Sequence, residues 1–116
     1  MAYLKEFSGR ILLKIENDSI KDFSSGMIKY QIRDNRLTDF SGRTIFVLDG
    51  DRVKDFSGRT LLYITYNQVK EFSGRIIATF DSNNIKDFSS GMIQYKLDGF
   101  LSRREVMALL ALLYAS

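Results

Sequence analysis

Six times along the chain an acidic residue is followed by Phe and Ser: Glu6-Phe7-Ser8, Asp22-Phe23-Ser24, Asp39-Phe40-Ser41, Asp55-Phe56-Ser57, Glu71-Phe72-Ser73 and Asp87-Phe88-Ser89. A carboxylate beside a hydroxyl is raw material for general acid–base or nucleophilic catalysis. Yet a group repeated six times does not suit a single asymmetric active site. The chain has no His and no Cys, which removes the commonest general base, the commonest zinc ligand and thiol chemistry. Backbone needs account for the motif instead. An acid at the first position of a turn accepts from the turn's own amides, and the Gly that closes it takes a left-handed conformation. Glycines 9, 42, 58 and 74 recur without the strand-to-helix context of a phosphate loop, and the acids near Asp49, Asp51 and Asp81 lack the ligand count of a calcium loop. The sequence therefore reads as that of a protein that is not an enzyme, with no cofactor and no metal.

The spacing of these groups sets the architecture. The six Phe recur every 16 or 17 residues, and each is preceded at three positions by an aliphatic residue: Leu4, Ile20, Leu37, Val53, Val69 and Ile85. Six units thus fill residues 4–100 of one domain spanning 1–116. Units two and six, IKDFSSGMIKYQI and IKDFSSGMIQYKL, match one another better than their neighbours, through duplication of a block or convergence on equivalent positions.

After each Gly, apolar residues alternate with period two, the mark of a strand with one buried face. The inward set is Ile11, Leu13, Ile15; Ile28, Tyr30, Ile32; Thr44, Phe46, Leu48; Thr60, Leu62, Ile64; Ile76, Ala78, Phe80; and Ile93, Tyr95, Leu97. Asn17-Asp18, Asp34-Asn35, Gly50-Asp51 and Ser82-Asn83 supply reversal points. A two-residue loop at Asn17-Asp18 sets Ile15 opposite Ile20. A four-residue DFSG loop sets Val53 opposite Thr60 and Val69 opposite Ile76, with Lys54 facing Arg59 and Lys70 facing Arg75 outside. The expected fold is all-β, an antiparallel meander of about 12 short strands in a closed or curled barrel. The alternative is a two-sheet β-solenoid with the six Phe stacked in a ladder and its end capped by a helix.

That helix, at about 102–115, is announced by Ser102 and Glu105 as a capping box, followed by VMALLALLYA. It is apolar nearly all round, which marks burial on several sides. Twelve strands about 4.7 Å apart, tilted near 40°, enclose a radius of roughly 11 to 12 Å, too wide for their own side chains to fill. The helix either plugs this space or packs outside.

A meander around a hydrophobic C-terminal helix resembles the tubby-like barrels, which include the phospholipid scramblase and LURP-one-related proteins. The 16-residue DFSG repeat resembles small uncharacterised bacterial repeat proteins of four-fold β-flanker type. The first resemblance implies a lipid or phosphoinositide ligand, and the second implies no known activity.

Two surfaces are candidates for binding. The outward positions Ile45, Val47, Leu61, Tyr63 and Ile77 of units three to five are apolar, where units two and six carry Lys29, Gln31, Gln94 and Lys96. Such a patch points to an interface, most simply a homo-oligomer, or to a protein partner. The six Phe are expected to fold inward over one rim and close the core. Exposed, they would form a ring able to meet anionic lipid beside the Lys and Arg residues of the same rim. With 17 basic against 14 acidic residues spread along the chain, the net charge of +3 does not point to nucleic acid. No apolar run has signal-peptide or membrane-span length, so the expected location is cytoplasmic.

Overall fold

The computed structural model describes residues 1–115. Twelve strands follow the repeat: β1 (Ala2–Glu6), β2 (Ile11–Glu16), β3 (Ser19–Asp22), β4 (Ile28–Arg33), β5 (Arg36–Asp39), β6 (Thr44–Asp49), β7 (Arg52–Lys54), β8 (Thr60–Ile64), β9 (Gln68–Glu71), β10 (Ile76–Phe80), β11 (Asn84–Asp87) and β12 (Ile93–Gly99). Among the described residues a single helix, α1 (Arg103–Tyr114), follows the strands. Each strand pairs antiparallel with its sequence neighbours, and β1 pairs with β12, so the sheet closes into a barrel. This excludes the solenoid, whose coils would stack in parallel. The closing seam passes Gly99, with φ +112°, where a Cβ would lie 2.3 Å from the Met1 carbonyl oxygen.

Every strand contributes a buried apolar residue to one interior: Leu4, Ile15, Ile20, Ile32, Leu37, Phe46, Val53, Leu62, Val69, Ala78, Ile85 and Leu97. The period-two alternation marks the inward face correctly at the last two expected positions of each even-numbered strand, whereas the first (Ile11, Ile28, Thr44, Thr60, Ile76 and Ile93) lies outside the core cluster. Five successive helix residues, Met107 to Ala111, are buried in the same cluster. At 100° per residue they cover the whole circumference of α1, so the helix lies inside the barrel. Its 12 residues span about 18 Å, against a shortest molecular dimension of 20 Å. The helix is thus long enough to run from one rim to the other.

The two ends of each hairpin obey different rules. At the short turns the pairing is regular, with Ile15 opposite Ile20 and Glu16 opposite Ser19. Asn17 and Asp18 take φ of +50° and +63° there, as a two-residue turn matched to strand twist requires. At the Phe end the register differs from the sequence expectation by two residues. Val53 lies opposite Leu62 and Val69 opposite Ala78, because one extra residue bulges from each even-numbered strand. The loop is also shorter. The Asp55 amide donates to the Arg59 carbonyl and the Gly58 amide to the Asp55 carbonyl, which leaves three loop residues ending in a left-handed Gly. In units two and six the extra Ser makes it four.

The bulge removes an electrostatic conflict. Lys54 now faces Thr60, and Arg59 lies 3.5 Å from its own Asp55 instead of opposing Lys54. The bulge inverts the alternation on its far side, so Thr60 leaves the core set and stands opposite Lys54, while the bulged Leu61 packs on the core. Six bulges at one end also add twist, which helps short strands close.

Candidate binding surface

The acid and Ser of each repeat form a closed local network. Asp39 Oδ1 accepts from the Ser41 hydroxyl at 2.6 Å, the Ser41 amide at 3.0 Å and the Arg43 amide at 3.0 Å. Asp55 repeats this with Ser57 and Arg59. The serine hydroxyl bond, with help from the backbone amides, holds both carboxyls below the usual aspartate value. A carboxylate so stabilised is a poor proton acceptor, and the hydroxyl points at it as a donor. The arrangement shapes a turn.

Turn formation leaves Phe at the tip. The inward folding expected of the six Phe does not occur: their exposure runs from 46% at Phe23 to 80% at Phe40. The centre of the barrel is taken by α1, and the loop residue after the acid is left to solvent. Phe23 is held edge-on to Tyr3, with ring centres 6.0 Å apart. Loops joining odd to even strands all lie at one end of an antiparallel meander, so the six rings share a rim. Met27 and Met92 of the longer loops are equally uncovered there.

Charge at this rim is layered. Arg10, Arg43, Arg59 and Arg75 each lie 3.3 to 3.5 Å from the acid four residues earlier, yet their side chains are 71–82% exposed while those acids are 20–39% exposed. The carboxylates fold into their own turns. The guanidinium groups are the outermost charge.

The outer-wall candidates are half-buried and divide in two: Val47 and Tyr63 stand outside the core cluster, whereas Ile45, Leu61 and Ile77, expected outward, pack against it because the bulge turns them to the interior. Ile45 and Val47 stand on β6, Leu61 and Tyr63 on β8, and Ile77 on β10. These strands are not adjacent: β7 and β9 separate them. Val47 sits between Arg36 and Lys54, and Tyr63 between Arg52 and Lys70, with the Arg52 guanidinium 5.8 Å from the Tyr63 ring centre. The apolar wall is therefore striped with basic side chains, a feature that the alternation along single strands does not disclose. Ile45, Leu61 and Ile77 are the bulge residues themselves, placed just below the Phe rim.

The opposite rim is tied to the helix. Ser102 accepts from the Glu105 amide at 3.2 Å, and Glu105 Oε1 accepts from the Ser102 amide at 2.9 Å, the capping box expected from the sequence. Glu105 Oε2 also accepts from the Asp18 amide. Arg104 donates to the Asp34 carbonyl and the Asp18 carboxylate, both at 2.6 Å, and Arg103 donates to the Ile64 carbonyl at 2.6 Å. These three consecutive residues follow the cap and give no sign in the sequence of which turns they reach.

Comparison with known proteins finds no matching family model, no matching curated protein and no matching solved structure.

Proposed function

We propose that this protein is a non-enzymatic binding module whose Phe rim engages an anionic lipid surface. The carrying observation is one rim with six uncovered Phe and two uncovered Met beside four outward Arg. Rings at the level of the acyl boundary with guanidinium groups at the phosphates is the division that interfacial binding requires. The resemblance to tubby-like barrels implies the same ligand class.

Sedimentation with phosphatidylcholine vesicles, with and without phosphatidylserine, tests this. Binding is expected only with the anionic lipid and should weaken as salt screens the Arg contribution. Phe40→Ser, Phe56→Ser and Phe72→Ser together should weaken it by about tenfold or more, the change that a loss of about 1.4 kcal/mol produces. Binding that survives the triple substitution would overturn the reading.

A second reading is self-association through the outer wall of units three to five. Val47 and Tyr63, half-buried on one side of the barrel and outside the core cluster, favour it. Val47→Lys with Tyr63→Glu should then reduce the light-scattering mass to that of one chain, with circular dichroism unchanged. A mass that does not respond would remove this reading.

A further inference from the structure

The helix does not fill the barrel evenly. Its ties at the short-turn rim go to Asp18, Asp34, Asp51 and Ile64, and its closest backbone approach is to β4 and β6. On the far side, towards β10 and β12, a half-open cavity of about 510 Å³ remains. This volume is within the range of small-molecule sites. The floor is apolar, made by Phe80, Leu97, Leu101 and Val106. Tyr66 and Phe100 stand at the mouth, 93% and 79% exposed, an unusual position for two aromatic side chains at an otherwise polar rim.

The polar part of the lining has one sign. Asp81 supplies a carboxylate whose Oδ1 accepts from the Asn83 and Asn84 amides, both at 2.8 Å. Asn67 and Ser82 are the neutral polar members, and among the described residues no Lys or Arg lines the space. Lys86 acts on Asp81 through space from β11. Aromatic side chains and a fixed carboxylate around an apolar floor attract a cation and, with Lys86 outside the lining, disfavour an anion.

We propose that this cavity binds a small organic cation, an ammonium group carried on an apolar body, with the charge held by Asp81 between the Tyr66 and Phe100 rings and the body on Phe80 and Leu97. The site lies at the opposite end of the barrel from the Phe rim and does not depend on the lipid reading. An ammonium group loses much of its hydration on entry, and the aromatic faces with the carboxylate replace it. The apolar floor selects cations larger than a metal ion.

The test is a titration of the full chain with benzyltrimethylammonium, followed by amide NMR, with benzyl alcohol as the neutral counterpart. Saturable shifts are expected at Asn67, Ser82 and Leu101, with the alcohol at least about tenfold weaker. Asp81→Asn retains an acceptor for the two turn amides while removing the charge, and should weaken the cation by about tenfold or more without affecting the alcohol. Phe100→Ala, at an exposed ring that supports no core contact, should weaken the cation independently of any effect on the turn. Equal affinity for the alcohol, indifference to both substitutions, or shifts that never saturate would overturn the proposal.

Discussion

The two ends of the barrel are built from the same six-fold repeat and finish in opposite ways. At the short-turn end, Arg103, Arg104 and Glu105 bind the helix start to backbone and side chains of the turns, so the rim is satisfied by the protein itself. At the other end, the acids spend their hydrogen bonds within their own loops and leave six Phe rings to solvent. One end is an internal joint and the other a free face. The difference teaches that a repeat fixes backbone geometry equally at both ends, whereas the one non-repeating element decides where that geometry becomes an interior contact.

Removing the joint should have the largest effect. Without residues 102–116 the barrel loses Met107, Leu109 and Leu110 from its centre, and the inward faces of twelve strands have nothing to pack on. Fully burying side chains of this size contributes roughly 1.5 to 3 kcal/mol each, so three of them outweigh much of the 5 to 15 kcal/mol typical of a domain. Far-UV circular dichroism should retain strand signal while near-UV signal is lost and a hydrophobic dye binds. A truncated chain with native near-UV signal would show that the strands hold the barrel without the joint.

Glu105→Ala is a narrower cut through the same joint. Glu105 is buried and serves both the Ser102 amide and, across the barrel, the Asp18 amide. Leaving these donors without their acceptor should cost about 1 to 3 kcal/mol in urea denaturation with an unchanged m-value. Substitution at the free face should behave differently. Phe40→Ser, Phe56→Ser and Phe72→Ser should each change stability by no more than about 0.5 kcal/mol, as at exposed positions generally. A loss of 2 kcal/mol or more at any of them would show that the rings pack against the wall and that the two ends are less different than described.

How much of this was legible follows from what repeats. The last two inward positions of each even-numbered strand, the turn at Asn17-Asp18 and the helix cap are local patterns, and each is where the period and the cap chemistry put it. The bulges at Ile45, Leu61 and Ile77 are not legible, because strict period two counts no extra residue and so assigns Thr44, Thr60 and Ile76 the inward place that the bulged neighbours take. The Phe rings point outward although apolar character suggests a claim on the interior, because the interior belongs to a helix that lies outside the repeats, at Arg103–Tyr114. The ties of Arg103 and Arg104 are contacts across the barrel, between residues 39 to 86 positions apart. The cavity beside Asp81 depends on the helix lying off centre, which local pattern does not report.

The smallest expected effect distinguishes the loops of the free face from one another. In the Asp loops the carboxylate reaches backbone amides, as in Asp55 to Ser57 and Arg59. In the Glu loops the longer side chain reaches the Ser73 hydroxyl and the Arg75 guanidinium instead. The Asp22, Asp39, Asp55 and Asp87 carboxyls are all held below 3.8, first by hydrogen bonds within the loop. The unfolded chain therefore binds protons more readily, so the contribution of these bonds is complete above pH 3.8 and disappears as pH falls through the lower folded values. Carboxyl NMR titration should find all four midpoints below 3.8, with amide exchange in these loops accelerating only in that acidic window. Glu71→Asp then sharpens the contrast: the shorter carboxylate should protect the Ser73 and Arg75 amides to the degree seen at Ser57 and Arg59. Unchanged protection in that variant would mean that loop backbone alone, and not the acid's reach, sets the order of this rim.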